Sequence, residues 1–108
     1  MDCDCGTKSD WVAILDKMPP EKPRLRVEGT AACYSSGFSN VRLEPHEPQG
    51  INARILLLNL AWTGPKAGVV SDVVEPHAVR YKQLESPDYD EIIIVNCQSK
   101  RIKVEIVS

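Results

Sequence analysis

Turn-forming residues and eight prolines divide this 108-residue chain into short apolar segments. From residue 24 onward, each segment either alternates apolar and polar residues or is apolar on both faces, patterns that are typical of half-buried and fully buried strands. The predicted strands cover 24–34, 41–44, 53–62, 69–84 with a division at Pro76, 89–97 and 101–108. No segment predicts a long helix, so the chain is predicted to be all-β.

The most hydrophobic segment, ARILLLNLAW at 53–62, predicts the centre of the fold. Leu56, Leu58, Leu60 and Trp62 share one face, and the other face is also largely apolar, which indicates a strand covered on both sides. Short connections favour antiparallel pairing, and three residues between the last two strands give hairpin spacing. About seven short strands therefore predict an antiparallel two-sheet sandwich.

The pattern in the N-terminal part of the chain does not predict a single structure. Residues 24–108 are assigned to the β-sandwich domain, whereas residues 1–23 are expected to be partly disordered or to pack at an edge. Within them, 10–18 fits a short helix capped by Asp10 and also fits an edge strand. The sequence leaves both readings open.

Two cysteines and a tryptophan loosely resemble the Cys…Trp…Cys pattern of immunoglobulin domains. Cys33, Trp62 and Cys97 occur in the right order. However, Trp62 follows Cys33 at about twice the family's spacing, and Val95 stands where that family has tyrosine. We therefore predict an immunoglobulin-like architecture from the strand count and no membership in the family.

Composition narrows the classes of partner and the compartment. Thirteen basic and fifteen acidic side chains give a net charge of -2 without a basic cluster, which argues against nucleic-acid binding. The longest apolar run, 55–62, is too short to cross a bilayer, so no membrane contact is expected. Residues 1–10 lack the pattern of a secretory signal, which predicts a cytoplasmic protein with four reduced cysteines. Cys33 and Cys97 are expected to be small buried apolar residues.

Both histidines lie in Glu-Pro-His triplets, at 44–46 and 75–77. Imidazole and carboxylate groups suit zinc or another first-row ion, so the candidate metal ligands are His46, His77, Glu44 and Glu75. The competing interpretation is that each proline ends or bends a strand and that the flanking side chains are solvated. Cys3 and Cys5 form a Cys-x-Cys pair that could chelate a soft cation as thiolates.

No catalytic motif accompanies these candidates. The six glycines are scattered, and neither a phosphate-binding loop nor a nucleophile elbow occurs. We therefore predict a small non-enzymatic β-sandwich without a cofactor that acts as a protein-interaction module. A homodimer formed through the edge of strand 101–108 is one possible assembly. The alternative is a metal- or small-ligand-binding protein that uses His46 and His77 with nearby glutamates, or Cys3 and Cys5; a hydrolase is the least favoured reading.

Overall fold

A computed structural model of the chain describes residues 3–5, 10–20, 22–33, 37–64 and 74–107. In these ranges the regular structure consists of eight strands and no helix. The strands are β1 (Cys3–Asp4), β2 (Val12–Asp16), β3 (Arg24–Cys33), β4 (Ser39–Pro45), β5 (Ile55–Thr63), β6 (Glu75–Leu84), β7 (Glu91–Ile94) and β8 (Lys100–Val107). The all-β prediction is confirmed.

The strands form one mixed sheet in the order β1-β3-β2-β8-β7-β5-β4. β6 pairs with the edge of β3 opposite to the edge that pairs with β1 and β2. The prediction of purely antiparallel pairing is wrong, because β2 pairs with β8 in parallel and β5 pairs with β7 in parallel. Short connections specify only the pairing of strands that follow one another along the chain. Both parallel pairs join strands separated by at least one other strand, which leaves the long crossover that parallel pairing requires.

Strand β8 links two groups of strands. Its first half, from Lys100 to Lys103, pairs with β7, and its second half, from Val104 to Val107, pairs with β2. One group therefore contains β4, β5 and β7, and the other contains β6, β3, β2 and β1.

Alternate residues of the longer strands form a single core. Leu56, Leu58 and Leu60 are buried as predicted, while Trp62 is only partly buried and meets the ring of Phe38 edge to face. Ile106 alternates with the buried Ile102 and Val104 but is 54% exposed, since it lies near the end of β8. The fully buried large side chains come from strands of both groups: Leu15, Leu25, Val27, Leu58, Val79, Ile92 and Ile94.

The N-terminal segment contributes β1 at one end of the sheet order and β2 in its interior. β2 pairs with β3 on one side and with β8 on the other, so the strand reading of 10–18 is the right one. Trp11, just before β2, is buried over Gly29 of β3. A Cβ at residue 29 would approach the indole more closely than 3.0 Å, so this position requires glycine.

Two disulfides attach the N-terminus to the sheet. Cys3 is bonded to Cys33 and Cys5 to Cys97, so the prediction of four reduced thiols is wrong. The prediction relied on the first residues of the chain. The distances between cysteines in the folded protein, which decide whether they can bond, are not given by the sequence. Register places Cys3 directly opposite Cys33. Cys97 lies in the turn between β7 and β8, not in a strand as predicted.

Candidate interaction surface

The two Glu-Pro-His triplets both lie at strand ends. β4 ends at Pro45, and β6 begins with Glu75 and Pro76. After β4, the His46 main-chain N–H donates to the Leu57 carbonyl at 2.9 Å, and His46 Nδ1 lies 3.2 Å from Asn59 Oδ1. The local structure at both triplets fits the interpretation of proline as strand punctuation.

His77 is the more enclosed of the two histidines. Its side chain is 23% exposed, and Nε2 lies 3.7 Å from Glu75 Oε2 without a hydrogen-bond partner in the described part of the chain. Within the described ranges, no three side chains of His, Cys, Asp or Glu converge as a metal site would require. Metal binding at these residues stays a prediction. Cys3 and Cys5 offer no thiolate while both are in disulfides.

The first half of β8 pairs with β7 and the second half pairs with β2, so the two halves leave different main-chain groups unpaired. Val104 N–H donates to Asp90 on the β7 side, and Val107 C=O accepts from Lys17 on the β2 side. Because main-chain groups alternate along a strand, Arg101 and Lys103 direct theirs toward the β2 side. The β2 register begins only at Ala13 opposite Val104. Before that position, no described strand pairs with the β2 side of β8.

A groove of about 240 Å³ lies at this unpaired stretch of β8. Trp11 lines it and is held in place because its Nε1–H donates to the Cys5 carbonyl at 2.9 Å. Three basic side chains and one carboxylate also line it, namely Lys100, Arg101, Lys103 and Glu105. The Arg101 guanidinium contacts Glu91 Oε1 at 3.0 Å. We call this feature the β8 groove. Its chemistry suits an extended segment that carries apolar and acidic side chains.

The second surface is the side of β6, β3, β2 and β8 that points away from the core, here called the outer face. Residues that oppose one another across strands share a face, so the registers define it as rungs. Its three rungs are Arg80–Glu28–Val12, Lys82–Arg26–Ile14–Glu105 and Leu84–Arg24–Asp16–Val107. Exposed apolar side chains are thus interleaved with charges of both signs.

The middle rung places two cations side by side. Arg26 lies directly opposite Lys82, both are exposed, and neither makes an ion pair within the described residues. Their neighbours do have carboxylates within reach: Arg24 Nη2 lies 3.6 Å from Asp16, and Arg80 Nε lies 4.0 Å from Glu28. A cleft of about 140 Å³ lies beside this rung and is lined by Asp16, Arg24, Leu25, Arg26, Lys82, Gln83 and Leu84.

Within the described ranges, shifted pKa values occur at the Arg54–Asp90 pair and at Tyr81. Arg54 makes a two-bond pair with Asp90 at 2.6 and 2.7 Å, and its hydrogen bond lowers the pKa of that carboxyl. Burial raises the pKa of Tyr81, and the nearby Tyr89 raises it further. The first pair joins the segment before β5 to the segment before β7, where Asp90 N–H also donates to the Arg54 carbonyl. Structural ion pairs also shift pKa values, and holding these two segments together accounts for the Arg54–Asp90 pair.

Comparison with known proteins adds no function. No family model matches the chain, no curated protein matches it, and no solved structure matches it. In the part of the chain that the structure describes, no helix is long and apolar enough to cross a membrane.

Sequence reasoning located one of the two surfaces in part. It singled out strand 101–108 as a possible edge, but it had no way to detect that β2 covers only the second half. It missed the outer face. The alternation of Arg24 and Arg26 and of Arg80 and Lys82 was visible, yet their juxtaposition depends on the register between β3 and β6.

Proposed function

We propose that this protein is a non-enzymatic interaction module that pairs with an extended segment of a partner protein at the β8 groove. The observation that carries the proposal is the register of β2, which begins with Ala13 opposite Val104 and leaves the main-chain groups of Arg101 and the N–H of Lys103 beside the groove. Strand addition uses such main-chain groups for affinity and neighbouring side chains for specificity.

The groove supplies side-chain contacts as well as main-chain groups. Trp11 and Val12 offer apolar surface, and Lys100 and Lys103 offer positive charge. Pairing from Arg101 to Lys103 would involve about three residues, or roughly 10 Å of an extended segment. A contact this short implies that neighbouring side chains contribute much of the affinity.

The scaffold we infer is a two-layered, immunoglobulin-like sandwich, in which the two strand groups joined by β8 enclose the common core. Two disulfides are typical of proteins that work in oxidising compartments, and this favours such a compartment over the cytoplasm expected from the sequence. Stapling the N-terminus also holds Trp11 near the groove, because Cys5 accepts its hydrogen bond.

Two substitutions at one position test main-chain pairing. Lys103→Pro removes an N–H that points away from β7, so the hairpin ladder is retained while pairing at the groove is blocked. Lys103→Ala removes the charge and keeps the N–H. Affinity copurification with each variant as bait should recover the partner with Lys103→Ala, at a lower yield than the parent because a charge is removed, and lose it with Lys103→Pro.

Amide exchange of the free protein provides the fold control. The amides of Ile102 and Val104 should exchange slowly in both variants. The Arg101 amide should exchange quickly in the Lys103→Ala protein, and the Lys103 amide should exchange quickly in the parent. Sedimentation over a concentration range determines whether the partner is a second copy. Equal recovery by Lys103→Pro and Lys103→Ala, or slow exchange at Arg101 and Lys103 in dilute monomer, would contradict strand pairing at this groove.

The alternative function, metal binding, now has one local candidate in His77 and Glu75, which are 3.7 Å apart. Elemental analysis of untagged protein tests it, with His77→Ala as the matched variant. Stoichiometric metal that disappears in His77→Ala would favour this alternative.

A further inference from the structure

We infer that the outer face is a second recognition surface, whose centre at Arg26 and Lys82 binds an acidic segment of a protein partner. This goes beyond the strand pairing proposed above, since it uses side chains of β3 and β6 and not the main chain of β8. The starting observation is the direct opposition of these two cations across the strand pair. Like charges in opposed positions destabilise a sheet.

The missing element at this rung is negative charge. On the two flanking rungs, carboxylates of the chain already form ion pairs, Asp16 with Arg24 and Glu28 with Arg80. No described carboxylate forms an ion pair with Arg26 or Lys82. An external carboxylate placed between them would relieve the repulsion and gain hydrogen bonds from guanidinium and ammonium groups.

The spacing of the surface fits an extended ligand. Arg24 and Arg26 lie two positions apart on β3, which places them about 6.6–6.8 Å apart along the strand. Alternate side chains of an extended peptide have the same spacing. The adjoining cleft of about 140 Å³ has room for small acidic side chains and is bordered by Leu84, which is 69% exposed.

The other charges of the outer face favour a protein over a nucleic acid or an anionic membrane. Asp16, Glu28 and Glu105 are distributed across the same rungs and would repel a dense array of phosphates. The apolar positions Leu84 and Val107, which are 69% and 42% exposed, suit the mixed polar and apolar surface of a protein partner.

The binding test uses a fluorescein-labelled synthetic peptide of eight residues that alternates glutamate and threonine. Fluorescence anisotropy is measured in about 0.1 M salt, where the Debye length is about 10 Å and distant charges contribute little. Arg26→Glu should weaken binding by about tenfold or more, since it places like charge against the ligand. The matched control is Lys100→Glu, the same charge change on β8 and outside the outer face, and it should change binding less than about twofold.

Stability provides an independent readout. Lys82→Glu replaces a like-charge pair by an opposite-charge pair, so its urea midpoint should rise while its affinity for the peptide falls. A loss of binding that accompanies a gain in stability excludes misfolding as the cause.

Three results would overturn the inference: equal weakening by Arg26→Glu and Lys100→Glu, no binding of the peptide to the parent, or binding of double-stranded DNA or phosphatidylserine vesicles in preference to the peptide. Lys103→Pro separates the two proposals. Compared with Lys103→Ala, which removes the same charge, it should abolish pairing at the β8 groove and leave the affinity for the acidic peptide unchanged, so that either surface can fail without the other.

Discussion

Leu58 occupies the centre of the core, and its truncation tests how the two strand groups are held together. The side chain is 0% exposed and belongs to β5, which lies between β4 and β7 in the sheet. Leu84 at the end of β6 provides a matched control, because the same residue type is 69% exposed there. Leu58→Ala and Leu84→Ala remove identical atoms from opposite environments.

The expected cost at Leu58 follows from burial. Leucine to alanine removes three carbons, each worth about 0.8 kcal/mol of transfer free energy, or roughly 2.4 kcal/mol together. A rigid core leaves part of the volume empty, which raises the cost into the range of about 2–5 kcal/mol. That is a large share of a folding free energy of about 5–15 kcal/mol. Leu84→Ala should stay within about 0.5 kcal/mol of the parent, as surface substitutions usually do.

Equilibrium urea unfolding measures both variants under conditions that keep the disulfides intact. With a slope of about 1.5 kcal/mol per molar urea, a loss of about 3 kcal/mol lowers the midpoint by about 2 M. Leu84→Ala should unfold within about 0.3 M of the parent by the same conversion. Equal midpoints for Leu58→Ala and Leu84→Ala would refute the assignment of Leu58 to the core.

Three further predictions follow from the disulfides, the tryptophan contact and the surface ion pair. Thiol titration of denatured, unreduced protein should find no free thiol, and four after reduction; four before reduction would contradict both disulfides. Gly29→Ala should lower the urea midpoint more than a typical surface substitution and change the fluorescence of Trp11, because the new Cβ meets the indole. Because Arg54 lowers the pKa of Asp90 from 3.8, the pair's stabilisation is complete above that pH and is lost as pH falls through the lower folded value. Asp90→Asn should therefore flatten the acid-side fall in unfolding midpoint, and an unchanged profile would contradict the pair.

The sequence determined the class of fold through local periodicity. Alternation in 24–34 places Leu25, Val27, Ala31 and Cys33 on one face, and the structure buries all four. The apolar segment 53–62 predicted a strand, which the structure places between β7 and β4. These features depend on the two-residue period of a strand, which each segment carries within itself. The end of β4 at Pro45 was also predictable, since proline lacks the N–H that a ladder needs. The predicted division of 69–84 at Pro76 involves residues 69–73, which lie outside the described ranges.

Only the tertiary structure decided which strands pair, and with what register. Parallel pairing of β2 with β8 joins the two ends of the chain, and no local pattern specifies a partner so distant. A disulfide joins Cys5 to Cys97 across 92 positions, and the pairing of β3 with β6 sets Arg26 against Lys82 across 56. Periodicity fixes which way a side chain points. What it meets depends on the burial and hydrogen-bond pairing of the whole chain, and both candidate surfaces arise at that level.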